Sequence, residues 1–323
     1  MIARTAAIAG GDAAHPGASG AGPAASSSAA AGGDGEPGLS LRPTALRLRT
    51  RRKIFNQVMM AAAAVTVVFG VVMLIWVLST LVMRGAGGIS LAFFTELPNP
   101  PGVPGGGLAH AVVGTAMLTG MAILFGVPVG IAAGVWLAEY GQQSRPARAI
   151  RFLADVLMGV PSIVVGVFVY GLVVAPMGHF SALAGAVALA ILMLPIVTRT
   201  TDEMLRIVPT ALREAALALG SPSWKMILHV SMRSALPGIT TGVVLAIARV
   251  SGETAPLLFT ALNTPYWSFN PTQPMGSLNV TLFNYAMSPY ADWQQMAWGA
   301  ALVITASVLA LTIVARVVRG KRM

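Results

Sequence analysis

Long apolar stretches separated by short polar ones dominate this chain. At roughly 20 apolar residues per crossing, they predict six membrane-spanning helices, over 57–83, 109–138, 152–175, 180–199, 236–262 and 295–316. Only "APMGHF" separates the third stretch from the fourth, so those two should be antiparallel neighbours. Pro128, Pro161, Pro195, Pro237 and Pro256 fall within or near the ends of these stretches. Each removes a backbone donor and kinks or ends its helix, which a bundle tolerates where neighbouring helices satisfy the freed carbonyls.

Residues 209–232 depart from that pattern and turn amphipathic. Pro209 can open a helix, because the first helical position needs no intrahelical donor. "TALREAALAL" continues it with strong helix formers, and Gly220 ends it by adopting the left-handed conformation cheaply. Ser221 is a good N-cap and Pro222 a good first residue for a second short helix, "PSWKMILHVSMRSA". Leu212, Ala215, Ala216 and Leu219 share one face of the first helix; Trp224, Ile227 and Leu228 share one face of the second.

Elsewhere the polar segments are less structured. Residues 1–41 are rich in Ala, Gly, Ser and Pro and cannot bury enough apolar surface to order, which predicts a disordered tail. Residues 84–107 are rich in Gly and Pro and read as irregular chain or short helix. Residues 263–294 hold Tyr266, Trp267, Tyr285, Tyr290 and Trp293, rings that favour the membrane–water boundary. The chain therefore divides into the tail, a 42–107 segment with the first span and its loop, a 108–316 core, and a basic C-terminus at 317–323.

Composition agrees with a membrane protein. Charged residues make up 10% of the chain, against about 25% in a soluble domain. The formal charge of +10 would suggest nucleic acid, but the positions of the basic residues explain it otherwise. Arg42, Arg47, Arg49, Arg51, Arg52 and Lys53 precede the first span; Arg145, Arg148 and Arg151 lie between the second and third. Arg199, Arg206, Arg213, Lys225 and Arg233 lie between the fourth and fifth; Arg316, Arg319, Lys321 and Arg322 follow the sixth. The opposite side holds Arg84 alone. The asymmetry places both termini in the cytoplasm and leaves no need for a nucleic-acid partner. Val58–Met83 is too long for a signal peptide's apolar region of about 7–15 residues, so the first span is an uncleaved anchor. With no cysteine, disulfides and thiolate chemistry are excluded. The sole Gly-Lys pair, Gly320-Lys321, is followed by Arg322, so the chain lacks a P-loop. His15, His110, His179 and His229 are scattered, and neither a metal site nor a catalytic site is expected.

One pair of charges stands out. "AIARVSGETAPLLFTAL" puts Arg249 at the centre of the 236–262 span, at a cost of about 2.5–3.5 kcal/mol unless it faces protein or water. Glu253 follows one turn along the same expected face. The two can form a neutralising pair that packs the helix. Alternatively, arginine's planar fork of donors meets a crossing oxyanion while Glu253 balances it. Arg249, Glu253 and the adjacent Thr254 are the candidate substrate-pathway residues; Arg199 reads as a topology anchor.

Glu214-Ala215-Ala216, Gly220 and Leu236-Pro237 together resemble the "EAA…G…LP" signature of type I ATP-binding-cassette importer permeases. In that family the segment forms coupling helices that dock on a cytoplasmic ATPase. Glu214, Ala215, Ala216 and Gly220 are then the coupling residues. "SIVVGVFVYGLVV", "LPIVTRTTDEMLRIVPTALREAALALG", "AIARVSGETAPLLFTAL" and "SPYADWQQMAW" narrow the resemblance, over about 55–320, to PstA-type permeases of bacterial phosphate importers. The resemblance implies an all-α, six-span inner-membrane permease surrounded by lipid. Its implied partners are a homologous PstC-type permease, two copies of a PstB-type ATPase carrying ATP and Mg, and a periplasmic PstS-type phosphate-binding protein. It also implies a link to a sensor kinase and an accessory regulator. The alternatives are an importer for another oxyanion or nutrient, and an ion-coupled secondary transporter. The latter would leave the EAA segment without a purpose.

Overall fold

The structure, a computed structural model, describes residues 43–141 and 144–320, and only the backbone of 43–50, 315 and 318–320. The 1–41 tail and residues 321–323 lie outside the described residues. The described residues divide after Val67 into two units. The described part of the first is the opening half of α1 (Pro43–Ala86), whose side chains from Arg51 to Val67 are all exposed. The rest of α1 belongs to the second unit.

In the second unit α2 (Leu91–Thr95) is capped by the Ser90 hydroxyl, which accepts from the Phe93 amide. Then come α3 (Ala109–Val135), extended by a wide π turn at Trp136–Gly141, and α4 (Arg145–Gly159). α5 (Ser162–Val169) leads through a second π turn into α6 (Ala175–Met177). α7 (Ala182–Ile207) and α8 (Thr210–Ala218) follow. α9 (Ser223–Met226) runs through a π turn at Ile227–Ser231 into α10 (Met232–Ser251). α11 (Ala255–Leu258), α12 (Leu278–Ala286) and α13 (Ala291–Gly320) complete the chain.

Among the described residues the fold is all-α, with one isolated bridge between Pro98 and Gly106. Five helical segments are long and apolar enough to cross a membrane, and six if the bent pair α4 and α5–α6 counts as one span.

The core centres on α3 against α7. In lipid, apolar burial gains little between helices, and close packing of small residues takes its place. Gly126, Gly130 and Gly134 supply it. A Cβ at Gly130 would lie 2.8 Å from Val197 Cβ, and one at Gly134 would lie 2.5 Å from Thr201 Cβ. Leu118, Leu189, Met193, Val250 and Leu257 fill the space around this contact. The expected hairpin between the third and fourth stretches is present. Gly178 turns at φ 75°, and Val165, Val169 and Val174 pack on Ala184 and Ala188.

Two expected spans differ. The 152–175 stretch is not one helix: α4 and the following Ser162–Met177 segment meet at 106°. Pro161 cannot donate a hydrogen bond and disfavours helical geometry at the residue before it. Val160 is accordingly extended, at φ −70° and ψ 131°. Nor is 236–262 a single span. α10 is continuous with α9, so Pro237 lies inside the helix rather than near its start, and the chain breaks after Ser251.

Candidate functional site

At the amphipathic stretch, α8 ends in a Schellman motif. Gly220 sits at φ 79°, its amide donates to Leu217 O at 2.9 Å, and the Ser221 amide donates to Ala216 O at 3.1 Å. The caps differ by one position from expectation: Pro209 and Pro222 are themselves the N-caps of α8 and α9, and Ser221 makes no side-chain cap. The second short helix is the opening of a long one, so the amphipathic stretch is continuous with α10. Glu214 and Ala215 are exposed, Ala216 is half-buried, and Leu212, Leu219, Trp224 and Leu228 face outward. Leu219 is 90% exposed, an apolar surface that this chain leaves uncovered.

Arg213 ties this stretch to the bundle. Its Nη2 donates to Glu139 Oε1 at 2.9 Å and to Leu205 O at 2.7 Å, and its Nε donates to Ser231 Oγ at 3.3 Å. One guanidinium thus joins α8 to the π turn after α3, to α7 and to the start of α10. A second knot lies beside it. Asp202, buried in α7, accepts from Arg151 Nε at 2.7 Å and from Arg206 Nε at 2.9 Å, while Arg151 Nη2 also donates to Leu137 O. Arg199 pairs with Glu203 at 2.8 Å, and its Nε lies 3.8 Å from Asp155 on α4. It is a partly exposed bridge between helices. Sequence reasoning treated these arginines as topology markers; the i,i+4 spacing of Asp202 and Arg206 was the one available signal of pairing.

Arg249 is not at the centre of a span. It lies in the last turn of α10, exposed, and Glu253 lies beyond the helix end. The two side chains are not bonded: Arg249 has no ion-pair or hydrogen-bond partner among the described residues, so the neutralising pair with Glu253 is not formed. The cause is the helix break at Gly252–Thr254, which removes Glu253 from the helical face. Asn279, at the start of α12, holds the break open. Its Nδ2 donates to Ser251 O at 2.8 Å and to Glu253 O at 3.0 Å, satisfying carbonyls that the helix end leaves free. No sequence pattern links Asn279 to residues about a loop away.

Arg249 and Glu253 both line a cavity of about 250 Å³. Its other walls are the elbow residues Gly159, Val160, Pro161 and Ser162, with Leu192 and Ile196 of α7. Thr254 instead opens α11, its carbonyl accepting from the Leu257 amide at 3.1 Å. The cavity thus sits between two broken helices that touch: a Cβ at Gly166 of α5 would lie 2.7 Å from Pro256 Cα of α11. An unpaired guanidinium at such a joint can bind an oxyanion through two parallel N–H donors.

A larger cavity of about 590 Å³ lies among the 84–107 and 263–294 segments, and Asn99, His110, Asn263, Tyr266, Tyr285 and Trp293 are among its lining residues. No Lys, Arg, Asp or Glu lines it. Burial pushes the Tyr285 hydroxyl up to about 12, so that ring stays neutral, stacked on Trp293 at 4.3 Å. Not all the aromatics of 263–294 are boundary markers, then. The larger cavity lacks the fixed cation that lines the smaller one.

Residues 126–321 match the family described as binding-protein-dependent transport system inner membrane component. The chain is 49% identical over 290 residues to the phosphate transport system permease protein PstA of Yersinia pestis, covering 88% of this chain and 98% of that protein. It is 52% identical over 270 residues to the protein of the same name from Xylella fastidiosa strain Temecula1, covering 83% and 94%. Among solved structures, an inward-facing MetNI methionine ABC transporter matches at TM-score 0.55 and 21% identity, over 66% of this chain and 95% of that one. A bacterial alginate ABC transporter in complex with an alginate-bound periplasmic protein matches at 0.58 and 15%, over 82% and 94%. The structural matches support the fold.

Proposed function

Because the chain belongs to the binding-protein-dependent transport permeases and, within them, to the PstA family, we propose that inorganic phosphate crosses the inner membrane past Arg249. The chain is a multi-pass membrane subunit of an importer, it works with other subunits, and the ATPase is a separate polypeptide. The observation that carries the reading is the unpaired Arg249 on a cavity wall between two helix breaks.

Phosphate is an oxyanion, and a guanidinium offers it two aligned donors and a fixed charge. Glu253, half-buried on the same wall, limits how tightly the anion is held. A permeation site must release its ion as readily as it takes it. Thr254 belongs to this pathway as the hinge that starts α11. At the other end, the exposed Leu212, Leu219 and Trp224, with Glu214, Ala215, Ala216 and Gly220, form the face gripped by the ATPase. In the full importer we place a PstC-type permease beside this chain, two PstB-type ATPases with ATP and Mg below it, and a PstS-type phosphate-binding protein outside. Both termini are cytoplasmic in this reading, supported by the distribution of Lys and Arg.

Uptake of radiolabelled phosphate by cells lacking this chain tests the reading. Restoring the wild-type chain should restore uptake, and restoring R249Q should not, at equal membrane levels. Wild-type uptake with R249Q would reduce Arg249 to a packing residue.

A further inference from the structure

Arg84 is the one basic residue on the side of the chain opposite the basic loops. It lies in the last turn of α1, where the crossing segment Arg51–Ala86 ends, and Gln294 lies in the first turn of α13, where Ala291–Val314 begins. Both are therefore at headgroup depth. The Arg84 guanidinium carbon sits 5.3 Å from the centre of the Trp298 ring. That stacking covers one face of the guanidinium and leaves its N–H edge free. Arg84 has no ion-pair partner among the described residues.

These residues line a groove of about 420 Å³ whose remaining wall is apolar, with Leu282 of α12 and Ala297 and Ala301 of α13. The groove is held in shape by the close approach of α1 to α13: a Cβ at Gly85 would lie 2.8 Å from Leu302 Cβ. A cation and an amide at headgroup depth above a slot of small apolar side chains match a phosphate joined to a hydrocarbon chain.

We propose that this groove binds an anionic phospholipid, with its phosphate on Arg84 and Gln294 and an acyl chain along Ala297 and Ala301. A free oxyanion would leave the apolar wall uncovered. A zwitterionic headgroup would bring an amine that no Asp or Glu of the groove receives. The site shares no residue with the Arg249 cavity and is independent of which ion that cavity passes.

The whole importer, purified from its native membrane and placed in nanodiscs of mixed phosphatidylglycerol and phosphatidylcholine, tests the site by native mass spectrometry of retained lipid. The wild type should keep phosphatidylglycerol in preference to phosphatidylcholine, and R84Q should lower that preference about fivefold, from ~1 kcal/mol per basic residue at an anionic surface. A301F, which fills the slot and keeps the arginine, should lose the retained lipid; it decides the matter if R84Q does not assemble. Equal retention of both lipids by the wild type, or unchanged retention in R84Q or A301F, would overturn the proposal. Displacement of phosphatidylglycerol by added inorganic phosphate would also overturn it, by showing a site for the free ion.

Discussion

Two arginines of the same bundle meet opposite fates. Arg151 is held on three sides, by both oxygens of buried Asp202 and by the Leu137 carbonyl. Arg249, in the last turn of α10, holds nothing. In a low-dielectric surrounding a charge must be paired, solvated or neutralised. The first arginine is satisfied by the protein and serves to lock α4 to α7. The second has no partner and lines the cavity between two helix breaks, which is where the proposed function puts the anion. Paired charge is architecture; an unpaired charge at a joint is the candidate for transport.

The comparison breaks most visibly at Asp202. D202A leaves two arginines facing an empty acceptor, and removing one partner of a buried pair costs about 3–5 kcal/mol. The variant should fail to accumulate, or should unfold at a much lower temperature in detergent. A thermal midpoint equal to the wild type would show that the knot is ornamental.

Asn279 comes next. N279A removes both donors that cap the end of α10, and a buried group left unpaired costs about 1–3 kcal/mol. Stability should fall by less than in D202A, and phosphate uptake should require a higher external concentration, because the break no longer presents Arg249. A variant with lowered stability but an unchanged half-saturating concentration would separate Asn279 from the site.

These two residues also mark what the sequence could and could not reveal. The turn at Gly220 was legible because helix formers run up to a glycine and the backbone obeys local rules there. The hairpin at Gly178 was legible for another reason, the short "APMGHF" connection between two apolar stretches. The break after Ser251 was not: Arg249, Ser251, Gly252, Glu253 and Thr254 interrupt the apolar run, but apolar residues on both sides read as one span, and the break rests on distant partners, Asn279 and the Gly166–Pro256 approach. Pro161 and Pro237 look alike in the sequence, yet one makes a 106° elbow and the other lies inside an unbroken helical segment. Periodicity finds apolar segments; it does not say where tertiary contacts interrupt them. Arg249 was found as an anomaly of charge, but its supposed bond to Glu253 assumed a helix that ends too soon.

Arg249 itself sharpens the contrast. Removing an exposed, unpaired side chain should shift stability by within about 0.5 kcal/mol. R249Q should therefore melt with the wild type even though its uptake is lost. A large fall in its melting temperature would mean the guanidinium is as structural as that of Arg151, and the distinction between the two would disappear.

The smallest effect belongs to Arg199, which lies between the two cases. Its partner Glu203 is one turn along α7 at 2.8 Å, but both side chains are partly exposed, at 35% and 51%. A solvent-exposed i,i+4 pair contributes about 0.3–0.5 kcal/mol, and salt screens it. E203A should lower the melting temperature slightly in dilute buffer and not at all at high salt. D202A, whose pair is shielded from water, should keep its deficit at both. Equal salt sensitivity in the two variants would show that burial does not separate these ion pairs, and that Arg151 and Arg249 differ for another reason.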